Sequence, residues 1–248
     1  MDFVVTLMFT AMLSVVLKKP IKKLPLLFYG LAVALVAVLF AGTSGLVPGS
    51  WWKFTVPLVQ QCMLSFALFT VVMFVGCLPD GWKVTQRLRG IRSELSVAAF
   101  ILCFGHMVPY IVPYATRVAS GTADGATAAS FALALVVGVL LVVLGVTSFA
   151  FVKRSMSTAK WKRLQRLAYL FFGLVYVHLV LMMAPSAAHG AAGAVLSIAA
   201  YTVVFGAYAV LRVTKALRSH AGELATEMVV SRAVQTAAFD EEAGLLAS

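Results

Sequence analysis

Polar residues disappear from this chain for long stretches. Six apolar runs, at residues 24–46, 54–77, 95–117, 128–152, 167–188 and 191–212, reach or pass the length of a membrane span. That length is about 20 residues, because a helix rises about 1.5 Å per residue and the hydrocarbon core is about 30 Å thick. A shorter run at residues 3–17 precedes the cluster KKPIKK. A secretory signal carries its bases before the apolar run, and a small-residue cleavage site after it. The reverse order here predicts a further N-terminal helix. The pattern predicts an all-α polytopic membrane helix bundle in three parts. Residues 1–23 form an added helix and basic loop, residues 24–212 a six-helix domain, and residues 213–248 a polar cytoplasmic tail whose end, AFDEEAGLLAS, is expected to fray.

Composition agrees. The chain is 62% hydrophobic and 12% charged, with a mean hydropathy of +0.97, whereas soluble domains are nearer ~45–50% apolar. The net charge of +11 would suit a nucleic-acid partner only if the bases formed one surface. They fall instead in alternate loops: Lys18, Lys19, Lys22 and Lys23; Lys83, Arg87, Arg89 and Arg92; Lys153, Arg154, Lys160, Lys162, Arg163 and Arg166; and Arg212, Lys215 and Arg218. The intervening loops hold only Lys53 and Arg117. This is the positive-inside signature, which predicts a multi-pass protein of a bacterial-type cytoplasmic membrane with its N-terminus outside and its C-terminus in the cytoplasm. Trp51 and Trp52 are then expected at the outer interface. Nucleic acid is excluded as a partner, and anionic lipid is the partner the basic loops imply.

The nine acidic residues lie at span ends, in loops or in the tail, so no mid-membrane carboxylate is available for ion coupling or for acid–base catalysis by a carboxylate pair. Neither GxGxxG nor a P-loop occurs, which excludes built-in nicotinamide or ATP machinery. Cys62, Cys77 and Cys103 are scattered, with no CxxC or CxxCH, and read as small packing residues.

Two histidines remain at span depth, His106 in RSELSVAAFILCFGHMVPY and His178 in WKRLQRLAYLFFGLVYVHLVLMM. Counted from Leu95 and Leu167, each lies about 16–17 Å along a helix running in the same direction. One such histidine is as readily a packing residue that donates to a carbonyl. Two at equal depth without a carboxylate partner favour a shared ligand, and two neutral imidazoles across a gap suit the axial positions of a haem iron. Phe104, Phe171, Phe172 and Leu179 are expected to flank such a macrocycle, Gly105 and Gly173 to let it approach, and Pro109 and Pro113 to kink the outer half of the first helix.

These two motifs resemble the ferric reductase-like transmembrane family. WKRLQRLAYLFFGLVYVH is similar to the W-x-R-L-H-R-L-x-Y signature and following histidine of its fifth core helix, and RSELSVAAFILCFGHMVPY to its third. The likeness covers residues 24–212, and is greatest to the haem-binding membrane subunit of the bacterial periplasmic methionine sulfoxide reductase system. The resemblance implies a six-helix core plus one extra N-terminal helix, in which His106 and His178 are the axial ligands of an outer-leaflet haem b. Gln165 stands where the family carries an inner histidine, and Arg92 or Ser93 stands at the matching place on the other helix, which implies one haem. A flavin (FMN or FAD) or a quinone is then expected by Arg92, Gln165 and Arg166. The implied function is electron transfer, as the membrane subunit of an oxidoreductase, from a quinol or flavin donor to an extracytoplasmic reductase subunit or ferric iron. The alternative is a small transporter or assembly factor whose histidines bind a metal or only pack. His189 is expected in a solvated turn, and His220 lies in the tail without a motif.

Overall fold

The computed structural model describes residues 3–246; Asp2 and the last two residues of the frayed-tail expectation lie outside them. The described residues are helical with no strand. Six helices are long and apolar enough to cross a membrane, and the chain is a multi-pass membrane protein. It divides into two compact units, Met1–Gly206 and Ala207–Ser248.

The first unit begins with α1 (Phe3–Val16) and α2 (Lys18–Lys23). At 14 residues, α1 covers about 21 Å, short of a full span. Its pattern is inverted relative to a soluble helix. Thr6, Thr10 and Ser14 are buried, while Val5, Met8, Phe9 and Met12 are exposed. Apolar side chains gain nothing by leaving lipid, so helices in a membrane turn small and hydroxylated faces toward one another. That face of α1 packs on α5. The expected basic loop is itself helical: KKPIKK forms α2.

The second apolar run starts earlier than its sequence pattern predicts, and is broken. It comprises α4 (Gly49–Thr55), a π-helical turn (Val56–Gln60) and α5 (Met63–Val75). Pro57, which lacks an N–H for the α ladder, sits in the first turn of the π segment. Cys62 ends the break at φ 62°, the one non-glycine residue with positive φ among those described. α3 (Pro25–Thr43) precedes this span, and α6 (Lys83–Arg89) and α7 (Arg92–Ala119) follow it. α7 runs unbroken through Pro109 and Pro113.

α8 (Gly125–Val146) begins at an Asp124 N-cap, whose carboxylate accepts from the Thr127 amide and hydroxyl. Those bonds hold the carboxyl below its usual range. The fourth run stops short of its expected end at 152, and its remainder forms the separate α9 (Ala150–Arg154). α10 (Thr158–Gln165) then leads into α11 (Leu167–Ala188). α12 (Ala192–Leu246) passes from the last apolar run into the second unit, so the expected tail is helical through Leu246 and the division at 206/207 falls inside the predicted sixth span.

Packing in the first unit centres on α3, α5, the π turn and α7, around Leu39, Val59, Ile91, Leu95 and Leu102. Gly105 serves this packing: a Cβ there would collide with Val59 of the π turn. The expected approach of a macrocycle to Gly105 is therefore replaced by helix against helix. Trp52 likewise fills the space beside Gly42, so it packs inward while Trp51 is exposed. At the basic end, Lys22 and Glu94 form a 3.0 Å ion pair, and Ser93 also donates to that carboxylate. The pair brings the first basic cluster to the start of α7, so those two loops share one end of the bundle.

Candidate functional site: two imidazoles on one cavity

The structure brings His106 and His178 to the wall of one cavity of about 500 Å³. Its lining comes from α5, α7, α8, α11 and the start of α12, and is mainly apolar and aromatic, with Phe69, Phe131, Phe171 and Leu179 among the residues. The helices bearing the two histidines, α7 and α11, both pack on α8.

Each ring is held through Nδ1. His106 Nδ1 lies 2.7 Å from the Gln60 carbonyl oxygen. A carbonyl only accepts, so Nδ1 carries the proton. That carbonyl is available because the α ladder ends at the π turn and the αL residue Cys62. His178 Nδ1 lies 3.1 Å from the Ser130 carbonyl oxygen and 2.9 Å from Ser130 Oγ. Its proton is shared between those acceptors, while Ser130 Oγ donates to the His178 carbonyl at 3.3 Å. Ser130 is fully buried. The same tautomer results at both positions, and Nε2 of each ring keeps its lone pair. A nitrogen in this state is able to bind a metal, and a carbonyl on Nδ1–H fixes ring orientation and raises basicity at Nε2.

Other lining residues have an order of their own. Along α7, the His106 and Tyr110 rings meet edge to face at 5.2 Å, Tyr110 and Tyr114 at 5.9 Å, and Tyr114 stacks on Phe131 at 6.5 Å. Arg117 lies 5.5 Å from the Tyr114 ring. Of the four residues expected to flank a macrocycle, Phe171 and Leu179 line the cavity. Phe172 is instead buried against Phe66 and Phe205, and Phe104 is exposed beside Phe100. No atom stands near a Cβ placed on Gly173.

The cysteines depart from the scattered reading. Cys62 and Cys103 both line the cavity, with their sulfurs 3.8 Å apart. Among the described residues no three His, Cys, Asp or Glu side chains form a metal-binding group, so a multi-ligand metal cage is not built here.

At the basic end, Gln165 donates its amide to Thr147 Oγ1 at 3.1 Å, and Trp161 Nε1 donates to the Thr147 carbonyl at 3.0 Å. Gln165 thus ties α10 to the end of α8. Arg92 begins α7 and Arg166 caps α11, both exposed. His189 caps the C-terminal end of α11, exposed as expected. In the second unit, His220 sits 4.0 Å from Glu223, also exposed.

Residues 61–176 match the family described as ferric reductase like transmembrane component. The matched segment takes in the αL residue Cys62, His106 and Ser130, and stops two positions before His178. The chain is also 38% identical over 213 residues to an uncharacterized protein of Treponema pallidum (strain Nichols), an alignment covering 84% of this chain and 59% of that protein. The chain therefore spans about three fifths of that relative's length. No solved structure matches.

Proposed function

We propose that this protein is a b-type haem electron-transfer subunit of the membrane, with His106 and His178 as the axial ligands of one haem. The observation that carries the reading is the shared state of the two rings: both line one apolar cavity, and both give Nδ1–H to a main-chain carbonyl, leaving Nε2 free to ligate. The ferric reductase-like match over residues 61–176 supports it. Haem, when bound, supplies the one-electron chemistry.

The chain's own contribution is to hold each imidazole in one tautomer and to exclude water with aromatic and aliphatic side chains. Burial and the Nδ1 hydrogen bonds are the levers by which it sets potential. The basic loops orient the protein with its N-terminus outside. Arg92 and Arg166 are the charges a quinol or a flavin phosphate would meet at the cytoplasmic end. Gln165 contributes there by fixing α10, since its amide is already bonded to Thr147. The acceptor on the other side is an extracytoplasmic reductase subunit, as in the methionine sulfoxide system the sequence resembles, or ferric iron. The test is spectroscopic. Protein purified in detergent from haem-replete cells is expected to show a Soret band and a reduced α-band of bis-histidine type. A folded, colourless protein would overturn the reading and leave the transporter or assembly-factor alternative.

A further inference from the structure

We propose that Cys62 and Cys103 form a hydroperoxide-reactive dithiol site on the cavity wall, closing to an intramolecular disulfide. Four features converge there. The sulfurs are 3.8 Å apart, so each must move only about 1 Å to reach bonding distance. Both residues line the wall of the cavity of about 500 Å³, so both are presented to a molecule that enters it. Cys62 sits at the end of a π turn in a left-handed conformation that no other described non-glycine residue adopts. Such departures from regular backbone concentrate where a site must be built. Cys103 lies one turn before His106 on α7, and Gln60, two residues before Cys62, supplies the carbonyl that holds His106.

The two thiols differ in access. Cys62 is half-buried and Cys103 buried, which assigns Cys62 as the attacking sulfur and Cys103 as the resolving one. In the first step the Cys62 sulfur takes the terminal oxygen of a hydroperoxide ROOH. An S–O bond forms, the O–O bond breaks, and ROH leaves with the thiol proton. Sulfur is oxidised by two electrons and the peroxide is reduced. In the second step the Cys103 sulfur attacks the sulfenic sulfur. An S–S bond forms, the S–O bond breaks, and water leaves carrying the Cys103 proton. The sum is two thiols and ROOH giving one disulfide, ROH and water. The mainly apolar lining favours an organic hydroperoxide over hydrogen peroxide as the source.

The experiment uses the full chain in lipid nanodiscs, exposed separately to cumene hydroperoxide and hydrogen peroxide. The chain is then denatured into an alkylating reagent and analysed by peptide mass spectrometry. The expected product is a Cys62–Cys103 cross-linked peptide lighter by two hydrogens than the reduced pair. Cys77, buried with its sulfur against the Met73 carbonyl, should stay alkylatable. Faster reaction with cumene hydroperoxide identifies the lipid-phase source, and faster reaction with hydrogen peroxide the aqueous one. Cys103→Ser is expected to stop Cys62 at a dimedone-trappable sulfenic acid, and Cys62→Ser to slow Cys103 oxidation by about tenfold or more. Full alkylation of both residues after peroxide, a cross-link only between copies, or oxidation of Cys62 beyond sulfenic acid with Cys103 free would each overturn the proposal. If a serine variant does not fold, the wild-type cross-link decides alone. The readout is mass, so its failure and the failure of the haem reading are separately visible.

Discussion

At the scale of single residues, the two core histidines could be read from the chain because an imidazole inside an apolar run has no compositional excuse. Their holders could not. Gln60 acts through a main-chain carbonyl, which every residue possesses, and the sequence has no sign for which carbonyl a backbone break will release. Ser130 offered a fainter signal, as a hydroxyl near the start of the apolar run of α8. His106→Ala and His178→Ala are each expected to deplete haem strongly, while His189→Ala leaves the Soret band unchanged, as read by pyridine haemochrome against protein. Ser130→Ala removes the side-chain acceptor at His178 Nδ1 but keeps the carbonyl. It is expected to weaken haem retention by about 10-fold or more while the bis-histidine line shape persists, which competition with a soluble haem acceptor would measure.

Among the elements, span existence was legible from apolar length, and span continuity was not. The apolar run at residues 54–77 contains Pro57, but hydropathy does not distinguish a proline absorbed within a helix, as Pro109 and Pro113 are, from one at a π turn. The added N-terminal helix was visible, whereas its inward hydroxyl face emerges only once its neighbour α5 is in place. Two contacts between elements are open to test by thermal unfolding in detergent. Gly105→Ala forces a Cβ into Val59 and is expected to cost about 1–3 kcal/mol, as overpacking does. Lys22→Ala leaves Glu94, whose side chain is 10% exposed, without its cation. The expected loss is about 1–2 kcal/mol, less than for a wholly buried pair because Lys22 is itself 58% exposed.

Over the whole molecule, each candidate ligand belongs to its own antiparallel pair of spans. Gln60 holds a histidine 46 residues later and Ser130 one 48 residues later. One cavity between two such hairpins predicts one haem per chain. Gln165→His should not add a second, since no histidine stands near Arg92 to complete a pair; haem quantified against protein for both chains checks this. The same arrangement sets an order of manufacture. As the chain leaves the ribosome, the first hairpin can orient His106 as soon as α7 is inserted, and the second repeats the act for His178. The space between them takes shape only after the second hairpin has joined the first, and the start of α12 completes its wall. A macrocycle that needs both imidazoles would therefore arrive only after α11 is in place, and could not serve as the template on which the early helices assemble.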